Sequence, residues 1–210
     1  MSKRALIFDL DGTLWDAGKP VAESWNIALK ALGYSIRVTS DDLHRVMGLP
    51  MDQLEMRLLP SLPKEKAVEV GDKVTEFESE YVYDHPGVLF PGVKETLRAL
   101  RKKGIYLYVL SNCQNGYIEA FFHGTGTKDL FDASLCWGEH KAPKGENMLY
   151  IMEKEGIDSA FYVGDTRGDE IETKKAGLKF VHAAYGFGTA DAPDYTIKSF
   201  PELLGVADAL

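Results

Sequence analysis

Two aspartates, Asp9 and Asp11, stand two residues apart directly after the apolar run Ala5-Leu6-Ile7-Phe8, and Gly12-Thr13 follow them. A continuous apolar run closed by a turn reads as a strand covered on both faces. The carboxylates therefore sit where such a strand ends, and ligands of open α/β sheets collect outside those carboxyl ends. Two like charges held this close repel unless a cation or a proton compensates them. A solvated Asp-Gly turn is the plain alternative, but the whole pattern over 8–13 holds more than a turn needs.

Two later apolar runs also stop at polar residues. Residues 105–110 run into Ser111-Asn112, and 160–163 run into Gly164-Asp165. In a parallel sheet such ends share one edge, so Asp9, Ser111 and Asp165 would converge although they are far apart in sequence.

The elements that must position them divide the chain in two. From Pro91 onward helix and strand patterns alternate, as in a parallel sheet with helices on its faces. Helices are expected over about 93–103 (Val93, Leu97 and Leu100 inward), 115–123 and 144–155, the last ended by Gly156. Strands are expected at 105–110, around 133–137, at 160–163 and at 180–183. Between about 16 and 85 the texture is helical throughout. Pro20 suits a first helical position, with Val21, Trp25, Ala28, Leu29 and Leu32 on one face and Gly33 at the end. Thr39 to Asp42 suit a second helix start, a short third helix is expected at 51–59, and Pro63 opens a fourth carrying Val70, Val74, Phe77 and Tyr81. The expected division is a core of 1–15 and 86–210 and a helical insert of 16–85.

Composition narrows the function. The 210 residues are 45% hydrophobic and 27% charged, the mixture of a globular protein, with 32 acidic against 24 basic side chains and a formal charge of −8. A nucleic-acid partner would call for a basic stripe, and the one short basic cluster, Arg101-Lys102-Lys103, suits a helix C-terminus. No stretch approaches the roughly 20 apolar residues of a membrane span, and the N-terminus does not read as a signal peptide. Cys113 and Cys136 have no metal-ligand spacing and suggest no disulfide framework, which fits a cytoplasmic location. The expected partner is a small molecule, with neither nucleic acid nor membrane; oligomeric state is not readable.

The motifs resemble, in order, the four signatures of the haloacid dehalogenase superfamily: Asp9-Leu10-Asp11-Gly12-Thr13, then Ser111-Asn112, then Lys144, then Gly164-Asp165-Thr166-Arg167-Gly168-Asp169. The helical insert resembles the cap that follows the first strand in its phosphoglycolate phosphatase and β-phosphoglucomutase group. The resemblance implies an α/β fold, a Rossmann-like parallel sheet core with an inserted all-helical cap domain. It also implies a Mg²⁺-dependent phosphatase acting on a small phosphorylated metabolite through an aspartyl phosphate. Asp9 would be the nucleophile, splitting one difficult displacement into two, and Asp11 would protonate the leaving alcohol and later deprotonate water. Mg²⁺, which prefers oxygen ligands, would be held by the Asp9 and Asp165 carboxylates and the Asp11 backbone carbonyl, with Asp169 acting through a water or orienting the lysine. Ser111, Asn112 and Lys144 would contact the phosphoryl group. Lys141 competes with Lys144, because many relatives place this lysine directly before a proline, whereas 141–146 reads Lys-Ala-Pro-Lys-Gly-Glu; the approach to the helix favours Lys144.

Asp11 discriminates within the superfamily, where dehalogenases carry an aromatic residue, phosphonate hydrolases an alanine and ion-pumping ATPases a threonine at its equivalent. A carboxylate there implies phosphate-ester chemistry. A β-phosphoglucomutase-like mutase shares Asp9 and Asp11, but Leu14 to Gly18 do not resemble the mutase pattern. A receiver-type phosphoacceptor module would also cluster Asp, Ser/Thr and Lys at strand ends, yet the insert and Asp11 both favour turnover. His44, His85, His123, His140 and His182 show no ligand spacing. Cys113 reads as a small residue packed behind the 111–112 loop, Gly124 to Gly126 and Gly186 to Gly188 as loop glycines, and Trp25 and Tyr81 as insert core. Arg45 and Met47-Gly48-Leu49 are placed to border the site, without an assigned role.

Overall fold

A computed structural model describes residues 2–210. In chain order the elements are β1 (Arg4–Phe8), β2 (Trp15–Asp16), α1 (Gly18–Ala31), α2 (Ser40–His44), α3 (Met51–Leu58), α4 (Lys64–Asp84), β3 (Val88–Leu89), α5 (Val93–Lys102), β4 (Tyr106–Ser111), α6 (Tyr117–Thr125), β5 (Ala133–Cys136), α7 (Lys144–Glu155), β6 (Ser159–Gly164), α8 (Arg167–Lys175), β7 (Lys179–Ala183) and β8 (Tyr195–Ile197). A short helix, Leu203–Val206, lies near the C-terminus.

Six strands form one parallel sheet in the order β5-β4-β1-β6-β7-β8. β1 lies in the middle, with Leu6 opposite Leu107 of β4 on one side and Phe161 of β6 on the other. Its uninterrupted apolar run follows from this position. Leu6 and Phe8 point into one hydrophobic core, Ala5 and Ile7 into a second on the opposite face, and all four are fully buried. The order departs from β1 in both directions, to β4 and to β6, and opens a crevice at the carboxyl end of β1. The Asp9 backbone N–H extends the ladder by donating to the Val163 carbonyl at 2.8 Å, so Asp9 is held as firmly as the strand itself.

Helices α1–α4 lie between β2 and β3, which pair antiparallel through Trp15–Leu89 and Asp16–Val88. α1 turns Val21, Ala22, Trp25, Ala28 and Leu29 inward, and α4 answers with Ala67, Val70, Val74 and Val82. Thr39 and Asp42 close a reciprocal capping box that starts α2. Three local readings need correction. α1 begins at Gly18, two residues before Pro20, because the Asp16 carboxylate accepts the Gly18 N–H at 2.8 Å. Leu32, expected on the inward face, is 42% exposed because α1 has ended at Ala31. α6 begins at Tyr117, since Gly116 at φ +90° still belongs to the preceding turn. β2, β3 and β8 have two or three residues each, too few for a periodic signal.

Candidate active site

The carboxyl ends of β1, β4 and β6 bring Asp9, Ser111 and Asp165 to one edge, and the first residue of α7 adds Lys144. The Lys144 ammonium donates to Asp9 Oδ1 at 3.0 Å and to Asp169 Oδ1 at 2.7 Å, with its side chain only 2% exposed. Burial works against its charge, but Asp169 and Asp9 more than offset this and hold its pKa well above the ordinary lysine value. Lys141 is exposed, near the Trp137 ring, and makes no ion pair among the described residues. Geometry thus singles out Lys144 of the two.

Asp169 is committed on both oxygens. Its Oδ2 accepts from the Thr166 N–H (3.0 Å) and hydroxyl (2.7 Å) in the capping box that starts α8, which leaves Oδ1 aimed at Lys144. The capping box thereby fixes the carboxylate that meets the Lys144 ammonium.

Asp165 is different. Its Oδ2 accepts the backbone N–H groups of Phe187 (2.7 Å) and Gly188 (3.1 Å), while Oδ1 is buried with no hydrogen-bond partner. A buried acceptor left unpaired costs about 1–3 kcal/mol and calls for an explanation. One carboxylate oxygen from each of Asp9, Asp165 and Asp169 lies within 4.8 Å of the others. Burial, reinforced by Asp169 and Asp9, pushes the Asp165 carboxyl up to about 8, and burial lifts Asp9 to about 6 against the pull of Lys144. An all-oxygen donor set with an orphaned carboxylate oxygen fits a hard divalent cation such as Mg²⁺. Gly12 borders this cluster at φ +79°, and a Cβ there would meet Asp165 Oδ2 at 2.3 Å, so only glycine allows the approach.

The Asp11 carboxylate turns away from that cluster and accepts the Tyr117 hydroxyl at 3.0 Å. Burial and then the Asp9 charge raise its pKa well above the ordinary value, which favours the protonated form. Asp9, Asp11, Ser111 and Asn112 line one cavity between the sheet edge and α1–α4, with Trp25 and Glu78 on its far wall. About 50 Å³ is open there, room for a few waters and not for a phosphate ester. Lys144 lies behind Asp9, on a neighbouring cavity that Asn112 also borders. The Asn112 side chain is engaged with the insert, its amide donating to the Gly48 carbonyl at 3.0 Å.

Several site residues escaped sequence reasoning. Gly186 to Gly188 read as plain loop, yet the loop presents two N–H groups to Asp165, and a Cβ on Gly186 would meet the Gly12 carbonyl at 2.3 Å. Trp25 read as insert core; it is fully buried and also lines the cavity. Tyr117 and Glu78 carried no motif. Met47, Gly48 and Leu49 border the cavity, while the Arg45 side chain is 70% exposed and pairs with Asp42. Cys113 is buried at the cavity wall, and both cysteines are free.

Comparison with known proteins adds a family to this geometry. A family model described as haloacid dehalogenase-like hydrolase matches residues 6–183. A phosphoglycolate phosphatase of Aquifex aeolicus is 32% identical over 212 residues, covering 98% of this chain and 97% of its own. A phosphoglycolate phosphatase of Vibrio vulnificus is 28% identical, covering 97% and 95%. The crystal structure of a predicted phosphoglycolate phosphatase from Haemophilus somnus superimposes with a TM-score of 0.81 at 24% identity, covering 98% of each chain, a likeness of fold.

Proposed function

Since the chain belongs to the haloacid dehalogenase-like hydrolases and is a phosphatase of that family, we propose that it hydrolyses a small phosphate monoester through a phosphorylated Asp9, with Mg²⁺ as cofactor. The observation that carries this reading is the separation of two neighbouring carboxylates. Asp9 faces Lys144 and the Asp165 cluster, and Asp11 faces Tyr117 and the cavity.

In the first step an Asp9 carboxylate oxygen attacks phosphorus, and the bond from phosphorus to the alcohol oxygen breaks. Asp11 gives its proton to that oxygen as the alcohol leaves. In the second step water attacks the same phosphorus, Asp11 takes a proton from it, and phosphate departs with Asp9 restored as a carboxylate. General acid–base assistance of this kind contributes about 10²- to 10⁴-fold. Phosphoryl transfer depends chiefly on positioning and on positive charge around the equatorial oxygens. Asp9, Asp165 and the Asp11 carbonyl would hold Mg²⁺, which supplies that charge when bound. Lys144, fixed by Asp169, supplies more, and Ser111 offers its hydroxyl beside the 111–113 backbone.

The insert, residues 16–85, acts as a cap. With about 50 Å³ open beside Asp9 and Asp11, the cap on this reading opens to admit the ester and closes over it. The crossings at β2 and β3 are the only covalent links between cap and core, and the closure excludes water from the reacting centre. The reading places the protein in the cytoplasm, with a small phosphorylated metabolite as its partner and neither nucleic acid nor membrane; among the described residues no helix is long and apolar enough to cross a membrane.

The test is phosphate release from a panel of monoesters with and without Mg²⁺, including phosphoglycolate, the substrate in the relatives' names. Release that needs Mg²⁺ and is lost in Asp9→Asn supports the reading. An isomerised phosphate ester in place of free phosphate, or full activity in Asp9→Asn, contradicts it.

A further inference from the structure

The far wall of the catalytic cavity carries a buried acid that the chemistry above does not use. Glu78 of α4 is 6% exposed and lines the same cavity as Asp11. Its Oε2 accepts the indole N–H of Trp25, and its Oε1 accepts the side-chain amide of Gln114 at 2.9 Å. The same Gln114 nitrogen also donates to the Ser79 hydroxyl at 3.2 Å. The donors of Trp25 and Gln114 are thereby spent, and Glu78 keeps unused lone pairs. Val21, Leu43, Met51 and Leu54 make the wall around it apolar, and among the described residues no lysine or arginine lines the cavity.

We propose that Glu78, held by Trp25 and Gln114, selects phosphate esters whose alcohol carries a hydrogen-bond donor and no negative charge. The proposal rests on the phosphatase reading above. A carboxylate or second phosphate on the alcohol would be pressed against the Glu78 carboxylate with no lysine or arginine on that wall to meet it, in surroundings where like charges repel strongly. A hydroxyl or an ammonium would instead donate to Glu78 while its carbon chain covers the apolar wall. Phosphoglycolate, whose alcohol bears a carboxylate, would be a poor substrate. A site built to pair a donor also rejects analogues lacking one, because its polar group is then buried unpaired.

The test uses the full chain with Mg²⁺ at mildly alkaline pH, and measures kcat/KM for p-nitrophenyl phosphate, phosphoethanolamine, glycerol 2-phosphate, propyl phosphate and phosphoglycolate. Phosphoethanolamine and glycerol 2-phosphate represent the ammonium and the hydroxyl donor. The better of the two should exceed phosphoglycolate by at least about tenfold, with propyl phosphate between them. In Glu78→Gln that preference should shrink by about tenfold, a change that a role in merely bracing α4 against α1 would not produce. Phosphoglycolate turned over as well as both donor-bearing esters overturns the proposal, and so does an unchanged preference in a folded Glu78→Gln. Should that variant not fold, the order of substrates in the unaltered chain decides alone. Turnover of p-nitrophenyl phosphate with the wrong order defeats this inference and leaves the phosphatase reading standing; no phosphate from any ester defeats both.

Discussion

Lys144 Nζ lies 3.0 Å from Asp9 Oδ1, a buried ion pair that joins residues 135 positions apart and ties the start of α7 to the end of β1. Asp169 completes it at 2.7 Å from the same nitrogen. One ammonium therefore stands between two carboxylates that would otherwise confront each other out of water, and it offsets one of their two charges. In the mechanism proposed above the same charge also faces the phosphoryl group, so this one lysine would serve structure and chemistry together.

Replacing that lysine should damage both. Lys144→Met leaves Asp9 and Asp169 buried without their cation, and breaking such a pair costs about 3–5 kcal/mol. Urea unfolding should show that loss, and phosphate release should fall to background. Lys141→Ala should change stability by no more than about 0.5 kcal/mol and leave turnover near that of the unaltered chain. Equal effects from the two substitutions would mean that the motif lysine has been misassigned.

Asp165 should couple cation binding to stability. Mg²⁺ at about 100 times its dissociation constant should raise unfolding free energy by about 2.7 kcal/mol, read as a rise in melting temperature. In Asp165→Asn the orphaned oxygen side is no longer anionic, so the Mg²⁺-induced rise should largely vanish while the metal-free protein still unfolds cooperatively. Chelation should stop phosphate release by the unaltered chain, and added Mg²⁺ should restore it. An undiminished Mg²⁺ shift in the variant would remove Asp165 from the cation site.

Glu55 gives a prediction about pH. It is 1% exposed between α3 and α4, packed against Gly71, with Oε1 unpartnered. Burial, with Asp72 and Asp52 adding repulsion, lifts its carboxyl from 4.5 to about 8. Between those values the folded chain keeps a proton that the unfolded chain has released, so this group lowers stability progressively as pH rises through that window. Glu55→Gln removes the effect. The variant should be more stable than the unaltered chain by about 1–3 kcal/mol near pH 8, with little difference near the ordinary carboxylate pKa. Urea titrations at the two pH values check this, and the same difference at both would contradict it.

The contrast between what could and could not be read from sequence has physical causes. The end of β1 was legible because a strand buried on both faces leaves an unbroken apolar run, and Asp9 interrupts it abruptly. Helix α7 was legible to the residue because Pro143 and Gly156 punctuate it. Glu78 was not, since it stands between Glu76 and Glu80 on α4 and looks like part of a solvated acidic face. The Gly186 to Gly188 loop was missed for another reason: it holds Asp165 through backbone N–H groups, which leave no side-chain signature. Sequence favoured Lys144 over Lys141 only by its approach to the helix, and three residues at that entrance decide which ammonium reaches the sheet edge, where Lys144 meets Asp9.

In the proposed mechanism Asp9 carries the phosphoryl group while Asp11 moves protons, and one experiment addresses both roles. Asp11→Asn is mixed with Mg²⁺ and p-nitrophenyl phosphate, whose leaving group needs no proton, then quenched in acid and mapped by peptide mass spectrometry. With the second step slowed by about 10²- to 10⁴-fold, the peptide containing Asp9 should accumulate one phosphoryl group, and the doubly substituted Asp9→Asn, Asp11→Asn chain should show none. A phosphoryl group on any other residue, or steady phosphate release by a chain carrying Asp9→Asn, would contradict the account.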